Sequence, residues 1–213
     1  MSESPADTRD GRRTRKQRSD GARSRDAILR EAARLATVEG IDGLSISRLA
    51  DAVGMSKSGL FAHFGSKQDL QLATIETANA LFAELVVEPA STAPSGVERL
   101  RHLTEAYLGW IQGPYPGGCF FASVAAEMDT RPGAVRDRVV EFLNEWLHTV
   151  ETAVRDARAE GAIDSAEDVE QLTFEIEAHL LLANTVFVIT HDAKAIERAR
   201  KAIESRLAAA APG

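Results

Sequence analysis

The stretch LADAVGMSKSGLFAHFGSK, residues 49–67, limits this chain more than any other. It holds two apolar-periodic runs separated by VGMS. Each run is far below the roughly 12–15 residues that an isolated helix needs in water, so both can form only against neighbours. Two such helices joined by a tight turn containing glycine make a helix-turn-helix, the arrangement that lays its second helix in the DNA major groove. On this expectation the second short helix is a probe, and its outward side chains matter more than its length.

The flanking punctuation supports three helices around that turn. Ser24 is placed to cap a helix with Ile28, Ala32 and Leu35 on its apolar face and Val38 at the edge, and Gly40 ends it. Ser45 caps a second helix over 46–53 that buries Ile46, Leu49 and Val53. Ser56 caps a third over 57–64, with Leu60 and Phe64 inward at i, i+4 spacing. Ser66 with Asp69 resembles a capping box and starts a fourth helix, from Lys67 to about Val86, that stops before Pro89.

Charge places the partner at the same end. The chain carries −7 overall, yet residues 1–67 hold 13 Lys/Arg against 9 Asp/Glu and the remainder holds 12 against 23. A basic head attracts a polyanion and an acidic body repels one. Residues 1–23, rich in arginine and almost without large apolar side chains, read as a flexible basic arm, with a solubilising tail as the alternative. No run approaches the roughly 18 uninterrupted apolar residues of a membrane span, and the polar N-terminus is no secretory signal. One cysteine, Cys119, excludes an intrachain disulfide, and the scattered histidines have no metal-ligand spacing. The expectation is a soluble, cytoplasmic protein with no membrane, metal or cofactor. No nucleophile elbow, phosphate loop or H-E-x-x-H motif points to an enzyme.

Residues 24–75 resemble the DNA-binding region of TetR-like (tetracycline-repressor-like) transcriptional regulators. The family pattern A-G-V-S-x-x-x-L-Y-x-H-F-x-x-K-x-x-L is matched by Ala52, Val53, Gly54, Met55, Ser56, Leu60, Phe61, His63, Phe64, Lys67 and Leu70. The resemblance implies an all-α protein. Residues 24–70 would form a three-helix DNA-binding head, joined through a linking helix to a helical effector-binding and dimerisation domain over 71–213. It also implies the site. Lys57 and Ser58, beside the capping Ser56, would touch base edges or nearby phosphates. His63 and Lys67 would meet the DNA backbone, as would Ser45 and Ser47. Phe61 and Ala62 depart from the usual tyrosines, so Phe61 would make an apolar contact with a thymine methyl or sugar.

The body reads as helical throughout, with helices expected over 95–110, 134–158, about 165–190 and 193–208 and an apolar segment at CFFASVAAEM. Trp110, Phe120, Phe121, Met128, Trp146 and Phe174 are its large side chains for an effector pocket, although for each one taken singly core packing is the better reading. The resemblance implies that the last two long helices pair with their copies. Leu180, Leu182, Val186 and Ile189 lie in an apolar run that exceeds what one core face needs. The expected partners are double-stranded DNA with a pseudo-palindromic operator, a second copy of the chain and a small-molecule effector. The leading expectation is a homodimeric repressor released by that effector. An activator or constitutive DNA-binding protein is the alternative, and an all-α ligand-binding or enzymatic domain with a basic head is the third.

Overall fold

The computed structural model describes residues 8–128 and 130–213, with the backbone alone for 8–20 and 22. Every regular element among them is helical. The head comprises α1 (Thr8–Glu39), α2 (Ile46–Ala52) and α3 (Lys57–Phe61). Gly40 ends α1 at φ +80°, a conformation that costs glycine little. Ser45 Oγ accepts from Arg48 N, Ser56 Oγ from Gly59 N and Ser66 Oγ from Asp69 N, so each short helix starts on its serine cap. The Asp69 carboxylate does not return to the Ser66 backbone; it accepts from Ser66 Oγ at 2.8 Å.

Several boundaries differ from the sequence expectation, beginning with α3, which ends at Phe61 rather than at Phe64. Helix α1 is already helical at Thr8, so the segment 8–23, expected as a flexible arm, continues it, and Ser24 lies inside the helix. Residues 1–7 of that segment lie outside the described part. The half of α1 packed through Ile28, Leu29, Ala32, Ala33, Leu35 and Ala36 supplies the nucleus, and Arg, Lys and Gln extend it at little cost. Val38 is solvent-facing, 62% exposed. The fourth helix does not stop before Pro89. Helix α4 (Lys67–Phe82) passes through a π-helical turn (Ala83–Val87) into α5 (Glu88–Ala90). Pro89 falls in the first turn of α5, where its missing N–H is not required. Further on, Asp168 rather than Ser165 is the cap of its helix, accepting from Glu170 N and Gln171 N.

The body is built from α6 (Gly96–Ile111), α7 (Phe120–Met128), α8 (Ala134–Ala159), α9 (Val169–Thr190) and α10 (Lys194–Ala209). Their apolar stripes meet around Phe82, whose ring stands edge-on to Tyr107, Trp110, Phe121, Phe142 and Trp146 with centroids 5.2–6.1 Å away. The linking helix therefore ends in the middle of the body's core. Arg206 of α10 pairs with Glu167 and with Glu175, fixing the last helix beside α9.

Candidate functional site

Leu60 and Phe64, both buried, dock α3 onto the head and leave Lys57, Ser58 and Phe61 in solvent, Phe61 at 53% exposure. The Ser58 hydroxyl lies 3.3 Å from Ser56 Oγ, so the cap and the exposed serine form one polar edge. Ser45 is exposed at its own cap, while Ser47 and His63 are partly buried, His63 tilted against the Phe64 ring. The Arg25 guanidinium lies over the other aromatic partner of that corner, 5.0 Å from the Phe64 centroid. Lys67 is engaged within the molecule. Its ammonium donates to the Asp42 carbonyl at 2.6 Å and to Asp42 Oδ1 at 3.0 Å, across the turn after α1.

That turn is also where the body holds the head, a joint that sequence reasoning missed. Glu127, near the end of α7, accepts from Ile41 N (2.7 Å) and Asp42 N (2.9 Å) with one oxygen each. A Cβ on Gly40 would sit 2.7 Å from that carboxylate, so a side chain at the residue that ends α1 would push Glu127 off its two donors. Arg131, just beyond α7, donates to Asp42 Oδ2 at 2.7 Å. Lys67 and Arg131 together hold the Asp42 carboxyl below the usual range. Gln71 of α4 donates to the Ile41 carbonyl at 3.0 Å, and Gly117 N to Thr37 Oγ1 at 3.3 Å. The partners lie 30 to 89 residues apart in the chain, and no local pattern announces them.

Behind the joint, α6, α7, α8 and α9 line a cavity of ≈ 570 Å³ that opens to solvent beside Leu181 and Ile189. Phe121 and Trp146, two of the expected pocket residues, line it together with Tyr107, Phe142 and Leu143. The other four do not. Trp110 and Phe120 are buried in the adjacent core against Tyr115, and Met128 borders a separate recess with Asp42 and Arg131. Phe174 is 69% exposed on the outer face of α9. A further lining group, Glu177, has a recognisable signal: Thr173, Glu177, Leu180 and Asn184 repeat at helical spacing, putting a carboxylate on an apolar stripe. Trp146 Nε1 donates to Glu177 Oε2 at 2.8 Å, and burial pushes the carboxyl up to about 7 against that bond.

The candidate dimer residues divide in the same way. Leu180 packs wholly in the protein's own core, because the phase of α9 turns it inward beside Ile176 and Ala183. Leu182 and Ile189 point outward, with Val186 partly buried between them. Phe174 and Leu181 complete an exposed apolar stripe along α9, and Leu181 and Ile189 of that stripe also border the cavity. Among the described residues no group of His, Cys, Asp and Glu is arranged to hold a metal ion.

A capped recognition helix exposed on a three-helix head, fixed to an all-helical body, defines a helix-turn-helix DNA-binding protein. Family models agree over most of the chain. The model for bacterial regulatory proteins of the tetR family matches residues 28–74, and that for the tetracyclin repressor-like C-terminal domain matches residues 96–203. The chain belongs to this family and is a DNA-binding transcriptional regulator. It is similar to the transcriptional regulator AcuR of Cereibacter sphaeroides, with 25% identity over 72% of this chain and 71% of that one. Its head resembles the transcriptional repressor AcnR of Corynebacterium glutamicum, 40% identical over 30% of this chain and 35% of that one. The crystal structure of a TetR regulator from Chloroflexus aurantiacus superposes with a TM-score of 0.82 at 27% identity, covering 89% of this chain and 96% of that one.

Proposed function

We propose that the chain is a homodimeric repressor that releases a two-fold-related operator when a small molecule enters the α6–α9 cavity. The carrying observation is the double membership of α7. Its Phe121, Ala122, Ser123, Ala125 and Ala126 line the cavity, and its Glu127 holds the turn of the head. A ligand that displaces α7 therefore acts on the head directly, and α4, running from the recognition turn into the aromatic core, moves with it. Such coupling amounts to about 1–3 kcal/mol in typical cases. Selection of bound fragments from genomic DNA supplies the operator, and a reporter assay then reads repression. Activation of the reporter would favour the alternative.

On this proposal Lys57 and Ser58 read base edges, Phe61 makes an apolar contact, and Ser45, Ser47 and His63 meet the DNA backbone. Lys67 reaches a phosphate by exchanging its bond to Asp42. Lys57→Ala and Ser58→Ala are expected to change the preferred operator bases, costing about 1–3 kcal/mol for a base contact. Unchanged preference in both variants, measured by competition binding, would contradict placing α3 in the groove.

The outward stripe of α9 supplies the dimer face, since a row of exposed large apolar side chains marks an interaction surface. Two recognition helices then sit about one DNA turn, roughly 34–36 Å, apart. Leu182→Glu would bury an unpaired charge against the second copy, and sedimentation should show the variant as a monomer at concentrations where the parent dimerises. A dimeric variant would move the interface elsewhere.

A further inference from the structure

Among the described residues the cavity wall holds one carboxylic acid and no base. Tyr107, Cys119 and Glu177 are its only ionisable side chains among the described residues. Burial drives the Tyr107 hydroxyl and the Cys119 thiol upward, so both stay neutral. The remaining polar side chains are turned into the protein's own backbone. Asn184 Oδ1 accepts from Cys119 N at 2.8 Å, Ser123 Oγ donates to the Cys119 carbonyl at 3.2 Å, and Thr185 Oγ1 donates to the Leu181 carbonyl at 3.0 Å. Glu177 differs from them. Its Oε2 accepts from the Trp146 indole, and no donor among the described residues serves Oε1. The group lies against Trp146, which is stacked on Tyr107 at 5.4 Å, in a wall that also holds Phe121 and Phe142.

An ionised carboxylate in such a wall is costly without a counter-charge, and the wall supplies none. An anionic ligand would add repulsion to that cost. A cation would remove it, and aromatic rings at its flank would favour the same sign of charge. We propose that the effector is an amphipathic cation, an ammonium-type head on an apolar body, whose charge rests against Glu177 beside Trp146. This rests on taking the cavity as the effector site.

Three probes sharing one alkyl chain separate charge from apolar burial: decyltrimethylammonium, decanol and decyl sulfate, each below its micelle concentration and titrated calorimetrically into the full chain. The cation should bind at least about tenfold more tightly than the alcohol, the equivalent of one unit of pKa displacement, with the sulfate weakest. Its affinity should rise with pH through about 7, where Glu177 gives up its proton. The trimethylammonium head does not titrate, so that slope belongs to the protein. Glu177→Gln should lower the cation to the alcohol's affinity and flatten its pH course. Should the variant not fold, the ranking and pH slope of the parent protein decide alone. An alcohol that binds as well as the cation, or a cation preference that survives Glu177→Gln, overturns the proposal. Binding of none of the three removes the cavity as a ligand site, and the proposal goes with it.

Discussion

Phe82→Ala is expected to lower the folding free energy by about 3–5 kcal/mol, the usual range for deleting a buried phenyl ring. The ring is 2% exposed and touches five aromatic neighbours edge-on, so its loss removes apolar burial and five oriented contacts together. Relaxation cannot remove the void, because moving Tyr107, Phe121, Phe142 or Trp146 into it enlarges the α6–α9 cavity that they already border. The position is also the last residue of α4 before the π-helical turn, where the linking helix gains its extra residue per turn. Urea denaturation followed by tryptophan fluorescence measures the loss, since Trp110 and Trp146 both lie against the ring. A loss below about 1 kcal/mol would mean that the aromatic cluster closes over the gap, against the close packing expected of such a core.

What was legible in the sequence was local. Ser45, Ser56 and Ser66 cap their helices within three residues, and Gly40 stops α1 at its own φ, so those three starts and that one end could be read from neighbouring letters. The orientation of α3 followed from Leu60 and Phe64 for the same reason. The pocket and dimer residues demanded the phase of long helices. There, apolarity alone could not tell Phe174, which faces solvent, from Phe121, which faces the cavity. Leu180 and Leu182 are two residues apart and point to opposite destinations, a distinction that only the packed partner of α9 determines. The π turn was hidden because Pro89 signals a stop, whereas one added residue per turn lets the helix proceed. The long-range joint lay furthest from view: nothing near Glu127 in the chain names Ile41 as its donor.

That joint carries the second large effect. Glu127→Ala should cost about 2–4 kcal/mol, since each of the two lost bonds is charge-assisted and such bonds contribute about 1.5–3 kcal/mol, with water repaying part. The Ile41 amide is the more costly to abandon, because Ile41 is fully buried while Asp42 is exposed. Glu127→Gln should fall between parent and alanine variant. An amide offers one acceptor oxygen, and its NH₂ group would meet the second backbone N–H donor to donor. The functional consequence should be confined to one end of the molecule. Amide hydrogen exchange should accelerate over residues 41–64 while α6 and α8 keep their protection, and operator affinity should fall because α3 no longer holds a fixed place relative to the body, and so to its copy in the proposed dimer. The surviving contacts test the division of labour. Gln71 of α4 still donates to the Ile41 carbonyl in the alanine variant, and Arg131 still reaches Asp42. Unchanged exchange over 41–64 with operator binding intact would show that α4 alone positions the head. The body would then signal through the linking helix, with α7 serving only as a cavity wall.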